Sequence, residues 1–123
     1  MSGRRWTWVV AWAVLIEGLI IWPHPPALPQ AIDVTGADKL VHAALFGVQA
    51  ALAVRASGGG KDSHRWWPAF VGTVVFGAFT ECEQYFIPSR SMELGDFLAD
   101  SIGAAVGAAI VVLRARKRRE LRA

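Results

Sequence analysis

With 123 residues, 54% apolar and 19% charged, and a mean hydropathy of +0.35, the chain is one domain or one small bundle, too apolar for an ordinary soluble domain. Its single cysteine, Cys82, excludes an internal disulfide and a cysteine metal cluster. The net charge of +3 sits at segment ends rather than along one face, which sets nucleic acid aside as a partner and points to membrane topology.

Four apolar segments follow one another. The first, residues 6–22, is WTWVVAWAVLIEGLIIW, preceded by Arg4 and Arg5. It is long for the core of a signal peptide, carries Glu17 and ends in WPHPP, so it reads as a retained helix. PHPPALP at 23–29 breaks it. The second segment, 38–55, is DKLVHAALFGVQAALAVR, and ASGGGKDS at 56–63 is a flexible loop. The third, 67–86, is WPAFVGTVVFGAFTECEQYF, followed by the turn IPSRSME at 87–93. The fourth, 94–113, is LGDFLADSIGAAVGAAIVVL, and a basic tail occupies 114–123. Each segment approaches the ~20 residues that cross about 30 Å of hydrocarbon, with the second and fourth the weaker on hydropathy. The expected fold is all-α: a single membrane domain over 1–123, built as a four-helix transmembrane bundle.

Cations orient that bundle. Arg4, Arg5, Arg55, Lys61, Arg65, Arg114, Arg116, Lys117, Arg118, Arg119 and Arg122 fall on one side of four spans, and only Lys39 and Arg90 on the other. The positive-inside rule then puts both termini in the cytoplasm of a bacterial inner membrane protein. The tail reads as an anchor held by anionic lipid.

The outer ends of segments two, three and four collect the unusual polar residues. Lys39 and His42 are three apart and share a helical face. Glu81 and Gln84 share another, which Gly77 and Thr73 continue inward. Asp96 and Asp100 are four apart, and Gly103 and Gly107 extend their stripe as a small-xxx-small surface for close helix packing. That stripe is expected to face the bundle interior. Glu83 and Glu93 fall off these faces and are expected to be interfacial and solvated. Ionisable groups at membrane depth are costly unless paired or wet, which makes this set a candidate site rather than a register lock. Glu17, inside the first segment, is expected to be protonated, to pair within the bundle or to line the same cavity.

At these residues the chain resembles the VanZ-like family, through DKLVH at 38–42, ECEQYFIPSRS at 81–91 and DFLADSIGAAVGA at 96–108. The position of Asp100 is commonly Asn in that family. The resemblance implies a small bacterial polytopic membrane protein, in a family named for teicoplanin resistance. A grouping of the family with phosphatidylserine synthases suggests phosphoester chemistry on a lipid.

The residues suit an enzyme acting on a lipid-linked phosphate head group, whether of a phospholipid or a cell-wall lipid carrier. Lys39, Gln84 and Arg90 would bind the substrate, the two cations holding phosphate oxygens. His42, Glu81, Asp96 and Asp100 would be catalytic, His42 as general base or nucleophile. No cofactor motif stands out, although two carboxylates with His42 also form a donor set for a divalent cation. The alternative is a non-catalytic binder of lipid head groups or glycopeptide in the cell envelope. An ion or proton pathway ranks last, because no polar line continues towards the cytoplasmic side.

Overall fold

The computed structural model describes residues 2–22, 36–60, 64–88 and 92–123, and over these the chain is all-α. Helix α1 spans Ser2–Ile21, α2 Ala37–Ala56, α3 Trp66–Tyr85 and α4 Leu94–Glu120.

Local chemistry sets several of the ends. Gly36, at φ 111°, takes the left-handed turn that leads into α2, and Asp38 in the first turn complements the positive helix end. At the other end Gly59 N–H donates to Val54 O at 2.9 Å, with Gly58 at φ 78° reversing the chain. Pro68 falls in the first turn of α3, where its missing N–H has no intrahelical partner to lose. Helix α4 continues seven residues past the expected end of its apolar run. Arg, Lys, Ala and Glu are good helix formers and nothing in RARKRRE breaks the helix, so the tail is a rigid extension of the rod.

The helices turn an apolar surface outward and a polar one inward. Val14, Val75, Phe79, Ile102, Val106 and Leu113 are exposed, whereas His42, Thr80, Glu81, Gln84, Asp96 and Asp100 are buried. A soluble domain would reverse this; an apolar exterior of this extent belongs in lipid. Two helices, α2 and α4, are long and apolar enough to cross a membrane. Hydropathy along the sequence marked these as the weaker pair. Helix α1 instead carries Arg4, Arg5 and Glu17, and α3 carries Glu81, Glu83, Trp66, Trp67 and Tyr85.

Packing is closest between α2 and α4. A Cβ on Gly103 would overlap the carbonyl of Ala43, and one on Gly107 the carbonyl of Gly47. The glycine stripe therefore lets the two backbones touch, as its spacing predicts. Helix α1 leans on α2 through Trp12, whose Nε1–H donates to Leu45 O at 2.9 Å. Ile16, Ile20 and Phe46 form a buried apolar cluster, with Phe76 5.6 Å from Phe46, ring to ring.

Candidate functional site

The α2–α4 contact positions the site. Ala43 lies against Gly103, so the preceding residue His42 meets Asp100, one turn before Gly103. His42 Nδ1 and Asp100 Oδ1 are 2.9 Å apart, both side chains buried. With Nδ1–H donating to the carboxylate, Nε2 is left as acceptor or base, and it faces Asp96 Oδ2 at 3.9 Å.

Lys39, one turn before His42, lies across Gly95; a Cβ there would come within 2.8 Å of Lys39 Cε. Its ammonium reaches Asp96 Oδ1 at 3.3 Å and Glu93 Oε2 at 3.2 Å. The lysine side chain is 46% exposed, so it forms the rim of the cluster, while Asp96 sits inside at 7%.

Helix α3 adds the third wall. Glu81 Oε2 accepts the backbone N–H of Glu93 at 3.2 Å and so caps the entry to α4. Glu81 Oε1, Gln84 Oε1 and Asp100 Oδ2 are buried and have no hydrogen-bond partner among the described residues. Gly77 makes room for this meeting, since a Cβ there would stand 3.3 Å from Asp100 Cβ.

Charge is unbalanced. Asp38, Glu81, Glu93, Asp96 and Asp100 gather around one lysine and one histidine among the described residues. Two donor sets, Asp38 with His42 and Asp96, and His42 with Glu81 and Asp100, each have ligand atoms within 4.8 Å of one another. Imidazole nitrogen with carboxylate oxygens fits a divalent cation, and the unpartnered buried oxygens would be satisfied by one.

The structure thus brings together Lys39, His42, Glu81, Gln84, Asp96 and Asp100. Arg90, the second expected phosphate ligand, lies outside the described residues. Two expectations need correction. Glu93 is not simply solvated, because it pairs with Lys39 and lends its N–H to Glu81. Glu83 turns inward: it meets Glu17 across α1 and α3, and Glu83 Oε2 is buried. Positions two apart on a helix diverge by about 200°, so leaving the Glu81 face carried Glu83 to the face that α1 covers. Glu17 accordingly belongs to a separate carboxyl pair. Sequence reasoning left Asp38 and Glu93 out of the site, although Asp38 precedes His42 by the four residues that put both on one face.

Size of opening does not locate this chemistry. The larger cleft, about 710 Å³, is lined by Arg55, Arg114 and Arg118 at the other end of the bundle.

Among curated proteins and among solved structures, none matches the chain. The family model described as VanZ/LLP1 matches residues 4–115, which takes in α2 and α3, most of α1 and α4, and every described residue of the cluster. The chain belongs to the VanZ/LLP1 family.

Proposed function

We propose that the chain spans the bacterial inner membrane four times with both termini in the cytoplasm, and that the His42 cluster, at the outer end, acts on a lipid-linked phosphate head group. One observation carries the reading: a buried imidazole held by Asp100 on one nitrogen at 2.9 Å, with its other nitrogen directed into a carboxylate cluster rimmed by Lys39. A register lock needs the first contact but not the second. A base or nucleophile needs both, because orientation by one nitrogen leaves the other for the substrate.

In this reading Lys39 and Arg90 hold phosphate oxygens and Gln84 donates to the head group. His42 Nε2 takes the proton of the attacking hydroxyl as the new P–O bond forms and returns it to the departing alcohol oxygen as the old P–O bond breaks; as a nucleophile it would instead form a P–N bond while that oxygen leaves, and a second hydroxyl would then displace the imidazole. Asp96 lies beside Nε2. A divalent cation on His42, Glu81 and Asp100 would take the one lone-pair nitrogen of the imidazole, so it would stand in place of the base role of His42 and supply Lewis-acid polarisation of a phosphoryl oxygen instead. Lys39 and Glu93 close the rim, so their ion pair separates to admit a head group. A link to teicoplanin resistance would then arise from an altered envelope lipid or lipid carrier.

The test uses the purified chain in nanodiscs with phospholipids and undecaprenyl-linked lipids, with and without divalent cations. Head groups are followed by mass spectrometry. Turnover is expected in the wild type, falling about 10²–10⁴-fold in His42→Ala. Retention of one lipid without turnover, lost in Lys39→Gln, would replace the enzyme with a head-group binder. Equal turnover in wild type and His42→Ala would sink the assignment of His42.

A further inference from the structure

At the end of the bundle away from His42, α1, α2 and α4 enclose the cleft of about 710 Å³. Its apolar lining is formed by Trp8, Leu52, Ile110 and Val111. Its cationic lining is formed by Arg5, Arg55, Arg114, Arg118, Arg119 and Arg122. Among the described residues that line it there is no Asp or Glu.

On α4 the change from apolar to cationic runs along a single face. Ile110, Val111, Arg114 and Arg118 recur at three- and four-residue spacing, and Arg122 follows in the turn after the helix. Arg116 belongs to another face, beside Trp66 and Phe70. The wall is also fixed in place. Arg119 Nη2 donates to Gly60 O at 3.0 Å, and a Cβ on Gly60 would stand 3.4 Å from Ala115 Cβ. The guanidiniums therefore project from a helix packed against the α2–α3 turn.

A tail that merely anchors the chain needs charge alone. It needs neither a cleft between three helices nor apolar side chains lining that cleft beside the arginines. Guanidiniums crowded into one opening repel each other, and an anion relieves the repulsion. Their planar forks match phosphate in bidentate fashion. The volume suits a head group with part of an acyl chain.

We infer that this cleft is a binding site for an anionic phospholipid, its phosphate held by the cleft's arginines and an acyl chain laid along Trp8, Leu52 and Ile110. The site is separate from the His42 cluster and needs only that the chain be embedded in a bilayer.

Native mass spectrometry of the full chain in detergent, with phosphatidylglycerol or phosphatidylcholine of matched chains, reads the inference. Phosphatidylglycerol is expected to be retained preferentially. Arg114→Gln with Arg118→Gln should lower its retention about ten-fold or more, while the charge-matched Arg116→Gln with Lys117→Gln leaves it within about two-fold. His42→Ala should retain the lipid as the wild type does, which separates this site from the proposed enzyme. Equal losses in the two double variants would show a general surface attraction and overturn the site. Release of the lipid by inorganic phosphate, or by a short RNA, would overturn the choice of occupant. A readout independent of the arginine variants is quenching by brominated phosphatidylglycerol. It should fall in Trp8→Phe relative to wild type, and an unchanged signal would equally overturn the inference.

Discussion

His42 is held on one side and open on the other, and that asymmetry makes its partners separable by experiment. Asp100→Leu keeps the bulk of the side chain but leaves Nδ1–H without its acceptor, so the imidazole loses its orientation, whereas Asp100→Asn, the residue common at this position in the family, can still accept through Oδ1 and should be tolerated. Turnover of Asp100→Leu in the nanodisc assay should fall about 10²-fold or more while lipid retention holds. Lys39→Gln should do the reverse, weakening retention with a smaller effect on the rate at saturating lipid. Gly95→Ala pushes on the Lys39 stem; a lysine side chain bends away easily, so this variant should weaken retention only modestly. Much of the cluster was legible in the sequence, because three- and four-residue spacings put Lys39 with His42, Glu81 with Gln84, and Asp96 with Asp100. The spacings could not tell which helix covers the opposite face. For that reason Glu83 read as solvated, whereas α1 brings Glu17 against it. Nor could they show that Glu93 contributes a backbone N–H, a contact no side-chain pattern encodes.

Among the elements, the α2–α4 pair carries the precision of the site. Gly103→Val would drive a branched side chain into the Ala43 carbonyl and force the helices apart. It should lower stability by about 1–3 kcal/mol and displace Asp100 from His42. A fall in the midpoint of thermal unfolding in detergent, together with lost turnover, checks this. Gly72→Ala is the contrasting case, since a Cβ there meets nothing within 4 Å, and it should leave both measurements unchanged. Helix positions were readable from apolar runs bounded by Pro and Gly. The far end of α4 was not, because hydropathy marks where a helix leaves an apolar medium and not where its hydrogen bonds stop.

For the whole molecule, the proposed topology has a direct test. In a Cys82→Ser background, a cysteine at Met92 should react with a membrane-impermeant maleimide in intact cells. One at Ser57 should react only after the cells are permeabilised. The opposite pattern would invert the bundle and move the His42 cluster to the cytoplasm.

The plug formed by Ile16, Ile20 and Phe46 has a further consequence. Phe46 is fully buried one turn below His42; beneath it on α2 Ala50, Ala53 and Val54 are buried and apolar, and Gln49, also buried, carries an amide that does not take up a proton. A proton taken up by His42 therefore has to return to the compartment it came from. The reaction proposed here would be non-vectorial: no charge crosses the bilayer per turnover, and the membrane potential neither drives nor brakes it. Collapsing the protonmotive force with an uncoupler should leave the turnover rate of reconstituted vesicles unchanged.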